Sequence, residues 1–131
     1  MMFIDTGAWY SAYVASDPNH VRVKPLLDGA TTRLVTTDFV LAESLNLLRA
    51  RREYQRAIVL GRDLLANVVS ELVHVEPSDL LRAFTIFATY RDKEWSFIDC
   101  TSLVVMQRLG IREAVALDQH FRQMPGIRVV P

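Results

Sequence analysis

Short apolar runs alternate along this chain with longer stretches in which apolar residues recur every three or four positions, the pattern of strands separated by helices. Met2 to Ile4 reads as a first strand, followed by a helix from about Thr6 to Ala15. Asp17-Pro18-Asn19 breaks that helix, and a second runs to Asp28, where Gly29 ends it. Arg33 to Thr36 is a second strand, Asp38 to about Arg52 is strongly helical, and a further helix reaches about Asn67. Leu72 to Val75 is a third strand. Pro77, at a favoured first-turn position, opens a helix carrying Leu80, Leu81, Phe84 and Phe87 at helical spacing. Ser96 starts another helix and Gly110 terminates it; Ala114 to Leu117 and Ile127 to Val130 are the last two strands. Strands separated by helices need crossover connections. The expected fold is therefore α/β, a mainly parallel sheet of about five strands with helices on both faces.

Composition narrows this picture. A chain of 131 residues, half of them hydrophobic, suits one domain over residues 1–131 with a core of its own. Fifteen basic and fifteen acidic residues cancel, so no overall field draws in nucleic acid or an anionic membrane, and any polyanion contact must come from a local patch. Cys100 is the only cysteine, which excludes an internal disulfide and suits a reducing compartment. An acid at position 5 comes too early for a signal peptide, and no apolar run approaches about 18 residues. The expectation is a cytoplasmic protein that does not engage a membrane.

Four acids carry the candidate chemistry. Asp5 and Asp118 follow the first and fourth strands, the place where ligands bind in open parallel sheets. Glu43 projects among Phe39, Val40, Leu47 and Ala50, and Asp99 is followed at helical spacing by Ser102, Leu103 and Met106, so both should face inward. A buried carboxylate takes up a proton or finds a cation. Converging carboxylates without a basic partner would repel one another; a divalent ion such as Mg²⁺ or Mn²⁺, which prefers oxygen ligands, relieves that repulsion. Without the ion, at least one acid of such a cluster should have a raised pKa. Helix capping competes with this reading: Asp5 and Asp118 fit simple N-caps, Ser96 and Asp99 fit a capping box, and Glu43 fits a pair with a core arginine or a turn to the surface.

The segments Phe3-Ile4-Asp5-Thr6-Gly7-Ala8-Trp9, Thr36-Thr37-Asp38-Phe39-Val40-Leu41-Ala42-Glu43, Ser96-Phe97-Ile98-Asp99-Cys100-Thr101-Ser102 and Ala116-Leu117-Asp118-Gln119-His120-Phe121 resemble, in order, those of the PIN-domain family, specifically the small toxin ribonucleases of VapBC toxin–antitoxin pairs. The resemblance spans essentially the whole chain. It implies a PIN-like three-layer α/β/α sandwich, Mg²⁺ or Mn²⁺ held by a cluster of acids, and endoribonuclease activity that leaves 5′-phosphate and 3′-hydroxyl ends. By position Asp5, Glu43, Asp99 and Asp118 take the four acidic places. On this resemblance Asp5 and Asp99 would hold the principal ion, Asp118 would complete that site or a second one, and Glu43 would orient a metal-bound water or assist proton removal. Thr6 and Ser96 resemble hydroxyl residues that support the cluster. Ala116-Leu117 departs from the Thr with Asn or Phe of many relatives, which removes a hydroxyl near Asp118. The resemblance also implies a homodimer and a VapB-like antitoxin. A catalytically silent PIN-like module that binds RNA or protein is the alternative. A phosphatase using Asp5 as nucleophile would need a second Asp two residues on, where Gly7 stands.

Substrate and partner surfaces are less sharply drawn. Arg49, Arg52 and Arg56 have three- and four-residue spacing that would let them share a helix face and contact successive phosphates, or simply make a solvated face. Arg82, Arg91 and Lys93 form a possible second rim. Val40, Leu41, Leu45 and Leu48 make a stripe that either receives a partner helix or is buried on two sides. His120 falls near the expected pocket mouth and reads as structural or exposed, Cys100 as a small helix residue, and Trp9 and Trp95 as packing residues rather than base-stacking ones.

Overall fold

The protein is described over residues 1–131 by a computed structural model. Its strands are β1 (Met2–Ile4), β2 (Leu34–Thr37), β3 (Glu71–Val73), β4 (Glu113–Val115) and β5 (Arg128–Val130). They form one five-stranded sheet in the order β3-β2-β1-β4-β5, with every neighbouring pair parallel. β1 is the central strand. Phe3 and Ile4 are fully buried, as expected of an apolar run covered on both faces. Chain order runs outward from β1 to β3, then crosses back to β4 and continues to β5. That reversal creates a switch point between β1 and β4, beyond whose carboxyl ends a crevice opens.

The helices are α1 (Thr6–Tyr13), α2 (His20–Asp28), α3 (Asp38–Ala50), α4 (Tyr54–Leu65), α5 (Pro77–Thr89) and α6 (Phe97–Leu109). Right-handed crossovers put α1 to α4 on one face and α5 and α6 on the other. The packing agrees: α1 meets α2, α3 and α4, α5 meets α6, and α3 also meets α6. Trp9, fully buried, donates from Nε1 to Thr36 Oγ1 (3.2 Å), whose hydroxyl donates to the Ile4 carbonyl (2.9 Å). These bonds tie α1 to the carboxyl ends of β1 and β2. No helix is long and apolar enough to cross a membrane.

Several boundaries differ from the sequence reading. The helix expected from Asp38 to about Arg52 stops at Ala50, because the chain turns at Arg52, whose φ of 62° lies in the left-handed region. β3 ends at Val73 rather than Val75, since the Val75 N–H bonds to Asp38 Oδ1 (3.0 Å) instead of to a strand. Gln119–Gln123 form a short 3₁₀ turn that periodicity did not reveal. Of the two readings of the Val40, Leu41, Leu45 and Leu48 stripe, burial is the one observed: Val40, Leu41 and Leu48 are buried, and Leu45 packs against Gly61 of α4. The large apolar side chains that are exposed instead include Tyr54, Ile58 and Val59 on α4 and Leu81, Phe84 and Phe87 on α5.

Candidate active site

Asp5, Glu43, Asp99 and Asp118 line one pocket of about 380 Å³ beyond the carboxyl ends of β1 and β4, together with Thr6 and Ser96. Glu94 and His120 complete its polar wall, and no lysine or arginine contributes to it. Each acid arrives by a different local route. Asp5 is the residue between β1 and α1, extended at φ −90° and ψ 169°, and its side chain makes no capping bond. Glu43 comes from the second turn of α3 and is half-buried. Asp99 closes a capping box at the start of α6: Ser96 Oγ accepts from the Asp99 N–H (3.0 Å), and Asp99 Oδ2 accepts from the Ser96 N–H (3.0 Å). Asp118 caps the 3₁₀ turn, its Oδ1 accepting from the His120 N–H at 2.9 Å. Capping therefore explains one oxygen of Asp99 and one of Asp118, and none of Asp5.

The electrostatics follow from burial. Asp5 is buried, its Oδ1 has no hydrogen-bond partner, and the adjacent Thr6 hydroxyl is buried without one. Burial pushes the Asp5 carboxyl from 3.8 up to about 8; the Thr6 backbone N–H opposes this, and the charges of Asp99, Glu43 and Asp118 add to it. Asp99 is also raised, first by burial and then by the charge of Asp118, against the pull of its Ser96 bonds and of His120. Cys100 is buried, and its thiol is pushed up to about 11 by burial and then by Asp99, so it stays protonated and unreactive.

The chemistry of these donors suits a hard divalent cation: carboxylate oxygens, an orphan oxygen on the most buried acid, and no lysine or arginine to neutralise them. No three His, Cys, Asp or Glu side chains are drawn together tightly enough to hold an ion as they stand. Closing around one requires side-chain rotation, for which the half-buried Glu43, free of any hydrogen bond within the chain, is the candidate.

Residues 2–127 match the PIN domain family. This chain belongs to the PIN-domain family. It is 30% identical over 131 residues, all of this chain and 99% of the relative, to the 23S rRNA-specific endonuclease VapC20 of Mycobacterium tuberculosis. It is 28% identical over 127 residues to ribonuclease VapC26 of the same organism, covering 96% of this chain and 93% of that one. The crystal structure of VapC20, described as a sarcin–ricin loop cleaving toxin, superposes with a TM-score of 0.85 at 28% identity over 91% of each chain. A toxin–antitoxin complex from Klebsiella pneumoniae shares the fold, with a TM-score of 0.70 at 12% identity over 100% of this chain and 97% of that one. The VapC-like resemblance read from the four segments agrees with these relatives, and the sheet is wholly rather than mainly parallel.

The structure brings Asp5, Thr6, Glu43, Ser96, Asp99 and Asp118 together and leaves Arg49 and Arg52 outside the pocket. Arg49 lies along a groove between α3 and α4, with its guanidinium over the Tyr54 ring. Arg52 occupies the turn, and Arg56 is on α4, so the helix face they were expected to share is not formed. Sequence reasoning missed Glu94 and set His120 aside. The spacing of His120 from Asp118 was a usable signal for the second; nothing in the pattern marked the first.

Proposed function

We propose that this protein is a Mg²⁺- or Mn²⁺-dependent endoribonuclease and the toxin of a toxin–antitoxin pair. The observation that carries the reading is a buried, partnerless Asp5 oxygen in a pocket with four further acids, Glu43, Glu94, Asp99 and Asp118, and no lysine or arginine, in a chain that matches VapC ribonucleases along its length. Asp5, Asp99 and Asp118 would hold the ion. When bound, such an ion lowers the pKa of water and offsets charge building on the phosphate. Glu43, which no hydrogen bond or ion pair within the chain engages, orients the attacking water and takes its proton. The Ser96 cap fixes the Asp99 carboxylate before substrate arrives. Attack of that water forms the new bond to phosphorus and breaks the bond to the 3′-oxygen, which takes a proton from solvent and leaves as the 3′-hydroxyl, the other end keeping a 5′-phosphate. Arg49 and Arg52 enter this reading only as contacts to RNA beyond the pocket.

RNA is the substrate class, and similarity to a 23S rRNA-specific endonuclease makes ribosomal RNA the first substrate to test. A VapB-like antitoxin and a second copy of the chain are the partners. The exposed apolar side chains of α4 and α5 offer surface for them.

The test is cleavage of ribosomal RNA with Mg²⁺ or Mn²⁺, with EDTA, and with Asp5→Asn or Asp99→Asn. Cutting by the wild type with metal, abolished by EDTA and reduced at least a hundredfold in both variants, is expected from the loss of about 3 kcal/mol or more of transition-state stabilisation. Wild-type protein that binds RNA without cutting it would point to a silent binding module instead.

A further inference from the structure

His120 stands among the acids in an arrangement that the proposed chemistry has not used. Its Nδ1 is 3.3 Å from Asp118 Oδ1 and 3.6 Å from Asp99 Oδ2, and its Nε2 is 3.7 Å from Glu94 Oε2. The two aspartate oxygens nearest Nδ1 are the same two that the backbone already engages, through the His120 N–H and the Ser96 N–H. Each aspartate is thereby left with one oxygen, Asp99 Oδ1 and Asp118 Oδ2, that no hydrogen bond within the chain engages.

The backbone that carries the ring is anchored twice. The Trp95 indole, itself buried, donates to the His120 carbonyl at 3.1 Å. Phe121, next in sequence, is fully buried and stacked on Phe3 of the central strand, with ring centres 6.4 Å apart. The imidazole itself is 23% exposed. Between two carboxylate oxygens a nitrogen lone pair would be repelled, so Nδ1 carries its hydrogen there.

We propose that His120 is a positioning residue: its Nδ1 edge lies within ion-pair distance of the backbone-engaged oxygens of Asp99 and Asp118 and keeps each carboxylate with its free oxygen available to a cation. The inference rests on the metal-dependent reading above. Outer-shell groups of this kind orient ligands, and their removal typically weakens metal binding 10- to 100-fold. The half-exposed Asp118 depends on the ring most, since apart from its own cap nothing else restrains it.

The experiment measures Mn²⁺ binding by calorimetry on the full chain, with RNA cleavage alongside, for the wild type, His120→Leu and His120→Asn. Leucine keeps volume and removes the donor; the asparagine amide can place a donor close to where Nδ1 stands. Leucine is expected to weaken Mn²⁺ binding roughly tenfold and to lower kcat with KM for RNA unchanged, while asparagine recovers most of both. Both variants should keep the wild-type circular dichroism, because the side chain is partly exposed and the capping N–H is retained. Leucine binding Mn²⁺ as tightly as the wild type, or asparagine failing to recover what leucine loses, overturns the positioning role. A wild type with no affinity for Mn²⁺ overturns the metal reading itself, and this inference with it.

Discussion

Asp5 sits between a buried strand and the first turn of α1, so its carboxyl is desolvated whatever the rest of the pocket does. Its pKa, raised from 3.8 to about 8, makes folding depend on pH in a definite direction. The folded state without metal favours the protonated form; the stability this provides is full below 3.8, declines as the pH rises, and is lost once the pH passes about 8. Urea denaturation of the metal-free protein is therefore expected to show Asp5→Asn matching the wild type near pH 4 and exceeding it increasingly toward pH 9. A constant difference across that range would show that Asp5 titrates normally. The position of Asp5 at the end of an apolar run was legible in the sequence. The absence of any partner for its Oδ1 was not, because burial of a single atom depends on what packs around it.

At the scale of elements, the pairing of α5 with α6 is secured by an ion pair that no spacing announced. Arg108 donates from Nε to Asp79 Oδ1 (3.0 Å) and from Nη2 to Asp79 Oδ2 (2.8 Å), and Asp79 is only 1% exposed. Burial pushes the Asp79 carboxyl up, but the Arg108 bonds, the Glu76 N–H and the charges of Arg108 and Arg82 outweigh it and hold the pKa below its ordinary value. Asp79 also completes a capping box with Glu76 at the start of α5. Removing the guanidinium leaves a buried, unpaired carboxylate, so Arg108→Ala is expected to lower the unfolding free energy by about 3–5 kcal/mol. A loss below about 1 kcal/mol in urea denaturation would place the pair with ordinary surface ion pairs. Arg108 comes nine residues after Asp99, half a turn round α6, and so faces away from the pocket. Its partner 29 residues away is chosen by helix packing, to which a local pattern is blind. The same limit explains Arg49, Arg52 and Arg56: three- and four-residue spacing implies a shared face only while the helix continues, and the left-handed turn at Arg52 interrupts it.

Across the whole molecule, the sheet order decides where chemistry can occur. β1 lies between β2 and β4, so Asp5 and Asp118, 113 positions apart in the chain, reach the same crevice. An ion bound there favours the folded state alone, because the unfolded chain cannot assemble the four acids. Mn²⁺ at a hundred times its dissociation constant should stabilise the fold by about 2.7 kcal/mol. For a chain of this size that raises the melting temperature by roughly 10 °C. EDTA should reverse the shift, and Asp5→Asn should abolish most of it. A melting temperature indifferent to Mn²⁺ at millimolar concentration would count against a metal centre in this pocket.

By itself the sequence determined the α/β class, the alternation of strands and helices, and the four acids, because strand and helix periodicity and the placement of acids at element ends are local properties that survive without a fold. The family was legible for the same reason, since its motifs are short segments kept in order. Only the tertiary structure decided the strand order, the burial of the α3 stripe, the apolar exposure of α4 and α5, and the place of Glu94 and His120 beside the acids. Those features depend on which distant surfaces meet. Contacts of that kind are set by packing around a shared core, where the free energy belongs to the assembled whole and to no single stretch of chain.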